Sequence, residues 1–510
     1  MTSEPQDEGF ALHRGRLGSR VATSAMLLTG LNFLVRSLSF LTVIVLARIL
    51  MPEAFGLVAL ATTIMGAIEV LTNFSVGNAL IRIRNVEKAH FDTAFTIGAL
   101  RGVLTAAGLA LLARPLAILM EMPELEGILY VLTVPAFVSG LLNPYFILYS
   151  RNLDFRREVM RRAVAAVAGS AVAIAIAIVF RTYWALVATL VVHVFVTIGF
   201  SYWKVPGRPG LSLARWRELF DFGVWLMIER LIVYLGNRAE YFVIAKAFDS
   251  RQLGAYHVAN QTLLFSTTEL QFALSRAFFP AFSMLQDDPE RLRASHVKAQ
   301  SVALAVLLPI GVGIGALAPY LVPLLFGPGW DVAVTVLQIV APAAALQGLG
   351  AGVEALAMAL NRVRLLALRA AIYHSLRLSM LAAGFLLAGF LGLLVARALG
   401  YGVLAAYNMQ LISRLSGGPI LAPLRAGWRS FGAALAMAGA LLLLPLPDPA
   451  SLEWPRLAAV SVGAVLLGAA VYAGVHLLLW QLAGRPDGAE TRILAEVGRL
   501  IGRLRPAPGN

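Results

Sequence analysis

Thr29, Asn32, Arg36 and Ser39 recur at steps of three and four inside one apolar run, and Arg230, Tyr234, Asn237, Arg238 and Tyr241 do so inside another. On a helix such steps gather side chains on one face. Under a constant shift of 198 residues Asn32 overlays Arg230, Arg36 overlays Tyr234 and Ser39 overlays Asn237, so the polar face is duplicated. Glu69 and Asn73 overlay Thr267 and Gln271 in the same register, with Glu269 close by. Glu229, Gly236 and Glu240 form an adjoining strip. An arginine near the middle of a membrane helix costs about 2.5–3.5 kcal/mol. These faces are therefore expected to line a shared water-filled cleft, cationic with a few carboxylates. Guanidinium forks match phosphate oxygens in bidentate pairs, so the expected chemistry is anion binding. The competing reading is structural pairing, such as Glu69 with Arg36 or Glu240 with a neighbouring arginine. For Arg101, Glu354, Arg377 and Arg397, outside the duplicated set, that structural reading is preferred.

Other chemistries lack their residues. None of the four lysines, Lys88, Lys204, Lys246 and Lys298, follows a glycine, so no phosphate-binding Gly-Lys-Ser/Thr loop exists and ATP hydrolysis is not expected. The 7 histidines are scattered and cysteine is absent, which leaves no thiolate nucleophile, disulfide or clustered metal ligands. No enzyme activity, metal or organic cofactor is expected. His193 reads as a helix-packing residue, and Gly311, Gly313 and Gly315 as positions of close helix approach rather than a phosphate loop.

The elements that position these residues are apolar helices. With 510 residues, 59% hydrophobic, 14% charged and mean hydropathy +0.77, the chain cannot clothe a soluble globule. Runs of bilayer length predict an all-α polytopic membrane protein of about 14 transmembrane helices. They start near residues 22, 54, 93, 126, 162, 183, 219, 253, 297, 332, 366, 391, 430 and 457. The first run carries Arg36 and reads as a retained helix, not a signal peptide.

The stretch ARILMPEAFGLVALA (Ala47 to Ala61) is echoed by AKAFDSRQLGAYHVA (Ala245 to Ala259), where Gly56 meets Gly254. Six spans separate the copies, so the repeat is parallel: two six-helix lobes about a pseudo-twofold axis, plus two C-terminal helices. The expected order is a cytoplasmic segment 1–20, an N-lobe 21–203 and a cytoplasmic linker 204–218 broken by Pro206, Gly207, Pro209 and Gly210. A C-lobe 219–411, a two-helix appendage 412–483 and a basic amphipathic tail 484–510 follow. In this topology about 30 of the 42 Lys and Arg lie on the side of both termini. The positive-inside rule makes that side cytoplasmic, and the formal charge of +14 reflects topology and anionic-lipid contact, with no nucleic-acid partner expected.

VLARILMPEAFGLVALATTI, GNALIRIRNVEKAHFDTAF, LYSRNLDFRREVMRR, RPGLSLARWRELFDFG, NRAEYFVIAKAFDSRQLGAYHVAN, FFPAFSMLQDDPERLR and YLVPLLFGPGWDVAVTVLQIVAP, quoted in chain order, resemble polysaccharide-repeat-unit flippases. These are the O-antigen, exopolysaccharide and colanic-acid-type exporters of the multidrug/oligosaccharidyl-lipid/polysaccharide superfamily, and the resemblance covers about residues 20 to 420. It implies lobes rocking in alternating access. The implied cargo is an undecaprenyl-diphosphate-linked oligosaccharide, moved from the cytoplasmic to the periplasmic leaflet of a bacterial inner membrane. Arg36, Arg230 and Arg238 would hold the diphosphate, with Asn32, Asn73, Tyr234, Asn237 and Gln271 along the sugar cleft. Glu69, Glu240 and Glu269 would couple transport to protons or sodium, although relatives often carry Asp where this chain has Glu240. A polysaccharide polymerase and a chain-length regulator are the implied partners. The alternatives are a drug/cation antiporter, which an acidic cleft without arginine would favour, a membrane polymerase, which needs a large periplasmic loop, and an assembly scaffold.

Overall fold

The computed structural model describes residues 30, 32–72, 76–83, 86–151, 156–220, 223–268, 278 and 281–485. Among them the regular structure is entirely helical. Thr29, Asn73, Glu269, Gln271, the side chain of Glu229, segment 1–20 and the tail from residue 486 lie outside the described residues.

The helices are α1 (Asn32–Ile49), α2 (Pro52–Thr72), α3 (Val76–Arg82), α4 (Lys88–Met120), α5 (Pro123–Ser139), α6 (Ile147–Arg151), α7 (Arg156–Phe180), α8 (Trp184–Tyr202), α9 (Trp216–Phe220), α10 (Gly223–Ala247) and α11 (Ser250–Leu263). α12 (Pro289–Phe326), α13 (Asp331–Ala344), α14 (Val353–Ala359), α15 (Val363–Ser416), α16 (Ala422–Leu443) and α17 (Trp454–Leu482) complete the order. Ten helices among the described residues are long and apolar enough to cross a membrane. The 17-residue α5 and the charged α10, with Arg230, Arg238, Glu240 and Lys246, are not among them. α15 is two helices joined at Ala388 and Gly389, where Gly389 takes φ 57°. That break falls beside the span start expected near 391.

Local sequence explains where the helices begin. Pro52, Pro123 and Pro289 open α2, α5 and α12, where a missing N–H costs nothing. The Asp288 carboxylate caps α12 by accepting from the Arg291 backbone N–H. Expected close to 297, this helix extends back to Pro289 because the cap lies upstream of the apolar run.

The chain divides into two compact units, Met1–His257 and Val258–Asn510. Lipid tails offer no hydrophobic drive between helices, so small residues set the packing. In the first unit a Cβ on Gly102 would lie 2.6 Å from the Phe137 carbonyl and 3.0 Å from the Gly140 Cα, so α4 and the end of α5 meet backbone to backbone. In the second, a Cβ on Gly311 would lie 2.6 Å from the Ala341 carbonyl and one on Gly315 2.7 Å from Pro342, as expected of close approach. Gly313 differs: its nearest neighbour would be the Met437 methyl at 3.7 Å. Large apolar side chains such as Leu111, Leu387 and Leu482 stand exposed on the exterior, as lipid contact requires. The protein is a multi-pass membrane protein.

Candidate functional site

The first polar face is carried by α1. Arg36 and Ser39 are exposed, and the half-buried Asn32 accepts from Arg162 Nη1 at 3.3 Å. Arg162 belongs to a cluster made by helical spacing on α7: Glu158 accepts from Arg161 at 2.7 Å, three residues on, and from Arg162 at 2.8 Å, four residues on. A Thr42–Ser170 hydroxyl bond of 2.7 Å ties α1 to α7. His193, expected inside the helix packing, is instead exposed on α8 within Coulombic range of Arg161 and Arg162. An apolar helix gave no signal of that neighbour, because the arginines arrive from a different helix.

On α10 the stripe divides. Tyr234 turns to α2 and donates its hydroxyl to the Thr63 carbonyl at 2.7 Å, while Tyr241 is fully buried beside His257. The Arg238 guanidinium lies 4.9 Å from the centre of the Tyr241 ring, a cation–π placement. Arg230 is half-buried, Asn237 exposed and Glu240 only 2% exposed. A face expected to be uniformly open thus has its aromatic hydroxyls committed to packing and its arginines and amide nearer the surface.

Glu69 is half-buried on α2 and interacts electrostatically with Arg101 of α4. Sequence spacing set Arg101 apart from Glu69; the α2–α4 packing brings them together. Thr267, which overlays Glu69, is buried with its hydroxyl on the Leu263 carbonyl. In the second unit Arg369 pairs with Glu354 at 3.0 Å and donates to Asn408 at 3.2 Å, and Arg397 donates to Asn260. Arg377 is buried.

The repeated motif meets its own copy. A Cβ on Gly56 would lie 2.7 Å from the Ser250 carbonyl carbon and 3.0 Å from the Gly254 nitrogen, and a Cβ on Gly254 would lie 2.7 Å from the Pro52 carbonyl carbon and 2.8 Å from the Gly56 nitrogen. The contact is reciprocal: each glycine meets the backbone of the other copy of the motif. Arg251 faces Glu53 at 3.9 Å beside it, and Lys246 pairs with Glu121 at 2.7 Å, holding the Glu121 carboxyl below its ordinary range.

The segment from Lys204 to Leu219 lies as a strap along the first unit. Gly210 donates its backbone N–H to Asp92 at 2.7 Å, Ser212 donates to Thr96 at 2.9 Å, and Arg215 pairs with Glu87 and Glu218. His90 accepts the Glu87 backbone N–H on Nδ1, so its Nε2–H is the donor to Glu218 at 3.2 Å. Leu219 is fully buried among Leu80, Phe91 and Ala94. Next to the strap is a cavity of about 360 Å³ bounded by Arg101, Thr72, Ser139, Phe146, Glu158 and Arg161. Sequence reading missed it, since its wall comes from α2, α3, α4, α5, α6 and α7.

A family model described as polysaccharide biosynthesis protein matches residues 45–335, more than half of the chain. The chain belongs to this polysaccharide biosynthesis family. It is 27% identical over 327 residues to the lipopolysaccharide biosynthesis protein WzxC of Escherichia coli, covering 62% of this chain and 66% of WzxC. It is 27% identical over 308 residues to the succinoglycan biosynthesis transport protein ExoT of Rhizobium meliloti, covering 60% and 62%. The chain thus spans slightly less than two thirds of these two relatives' lengths. Among solved structures, the lipid II flippase MurJ in an inward closed conformation aligns with TM-score 0.72 and 11% identity, over 90% of this chain and 100% of MurJ. An inward-facing multidrug MATE transporter aligns with TM-score 0.58 and 15% identity, over 75% and 96%. This member of the polysaccharide biosynthesis family therefore has the fold of the MurJ and MATE transporters.

Proposed function

We infer that the protein is a non-enzymatic flippase for undecaprenyl-diphosphate-linked oligosaccharides, carrying them from the cytoplasmic to the periplasmic leaflet of a bacterial inner membrane for exopolysaccharide or O-antigen assembly. The observation that carries this reading is the polar face repeated at a shift of 198 residues, with Arg36 in one copy and Arg230 and Arg238 in the other, within a family whose relatives are named for polysaccharide synthesis and transport. Fold alone does not choose a cargo, because multidrug transporters share it. The charge does: guanidinium groups suit a diphosphate and repel an organic cation.

The physical need is specific. Sugar hydroxyls cannot enter hydrocarbon without losing hydrogen-bond partners, so they need a wet passage while the polyprenyl tail stays in lipid. Lobes rocking in alternating access would provide it, with both termini cytoplasmic. The reciprocal Gly56–Gly254 contact supports this as a place where the two repeat copies close and part. Glu69, Glu240 and Glu269 would couple the motion to protons or sodium. A polymerase and a chain-length regulator would receive the product.

Reconstitution with a fluorescent lipid-linked oligosaccharide tests the reading. Leaflet exchange above that of protein-free vesicles, abolished by Arg36→Ala with Arg230→Ala, is expected; exchange no faster than in empty vesicles would defeat it.

A further inference from the structure

The cavity of the first unit uses none of the arginines of the duplicated stripe. Its volume, about 360 Å³, is that of a small-ligand site. The charged groups on its wall differ in how fully they are engaged. Glu158 accepts from both Arg161 and Arg162, and Arg161 also lies 5.6 Å from the centre of the Phe146 ring. Those charges satisfy one another.

Arg101 does not close in this way. Of its N–H donors, Nη2 alone reaches acceptors among the described residues, the Ser139 carbonyl at 3.3 Å and the Ser139 hydroxyl at 3.4 Å, both long for such bonds. Glu69 of α2 lies within Coulombic range, yet no ion pair joins the two. The Nη1 and Nε donors of this guanidinium are thus open to another acceptor. Nη1 and Nε carry N–H groups and no lone pairs, so they select a group that only accepts. The planar fork favours two oxygens on one centre.

We propose that this cavity binds an oxyanion headgroup, phosphoryl or sugar-acid carboxylate, on the Nε and Nη1 edge of Arg101. The Thr72 and Ser139 hydroxyls lie beside it on the wall, and Phe146 supplies an apolar side for a ring or chain.

The test uses the full chain in lipid nanodiscs at low ionic strength and isothermal titration calorimetry with two probes, inorganic pyrophosphate and glucuronate. Arg101→Gln should weaken binding about 10- to 100-fold, the effect of losing hydrogen bonds to a charged group. Gly77→Phe is the second variant. It lines the cavity with room for a Cβ, its nearest neighbour being the Ile147 methyl at 3.9 Å, and it should block the space without touching a charge. Binding of pyrophosphate alone assigns the phosphoryl source, and binding of glucuronate alone the sugar acid. With either probe, loss in a folded variant supports the site. Binding that both variants leave unchanged, or no binding of either probe to the wild-type chain, overturns it. Because binding is read at equilibrium without leaflet exchange, the site and the flippase reading fail separately.

Discussion

If the repeat copies part during transport, the Gly56–Gly254 contact is where a single methyl group should act. A Cβ at either glycine would lie 2.7 Å from a backbone carbonyl carbon, whereas carbon atoms pack at about 3.5–4.0 Å. The Ser250 and Pro52 carbonyl oxygens would lie closer still, so the two backbones must retreat by more than about 1 Å, and the obstructing atoms are main chain, which cannot rotate away. Overpacking of this kind costs about 1–3 kcal/mol, against about 1 kcal/mol gained when Ala replaces Gly in a helix. Helix propensity is gained whether the contact is made or parted, so the steric term alone shifts the balance. Gly56→Ala should thus displace the population about 5- to 150-fold from the contacting state. Nitroxides at Glu53 and Arg251, which face each other across the contact, would report it by pulsed electron resonance as a longer distance in the variant. Leaflet exchange should slow in parallel, because the state in contact is the one lost. An unchanged distance distribution with full transport in the Gly56→Ala, Gly254→Ala double variant would refute the argument.

Other expectations follow from the same geometry. Gly311→Leu should lower the melting temperature through the Ala341 and Ala345 clash, at a cost of about 1–3 kcal/mol, whereas Gly313→Ala, with Met437 at 3.7 Å, should be neutral or slightly stabilising by thermal unfolding in detergent. The Glu218 carboxyl is held below its ordinary range, first by the hydrogen bond from His90 and then by Arg215. A depressed folded pKa means its contribution to strap docking is complete above the unfolded value, about 4.3, and is lost as pH falls through the folded value. Trp216 fluorescence should hold steady from neutral pH to about 5 and change only below that, and Glu218→Gln should reduce the low-pH transition. Glu121 is likewise depressed by Lys246, so a Glu121→Gln, Lys246→Met double-mutant cycle should show coupling at pH 7 that vanishes as the carboxyl protonates.

Much was written in composition and periodicity. Hydropathy and run length declare a helical membrane protein, since a bilayer leaves the backbone only a helix or a closed barrel and these long apolar runs lack a barrel's alternation. The echo of Ala47–Ala61 in Ala245–Ala259 declares a duplication, and the arginines on those apolar helices declare that something polar must receive them. One-dimensional spacing states which residues share a face. It does not state what that face meets, because neighbours come from segments a hundred residues away. Only packing showed that Tyr234 spends its hydroxyl on Thr63, that His193 lies open near two arginines, that Arg101 belongs with Glu69, and that Gly56 and Gly254 touch each other. The physical reason is range: helix formation is decided by bonds four residues apart, whereas a cavity or an ion pair exists only where distant helices converge.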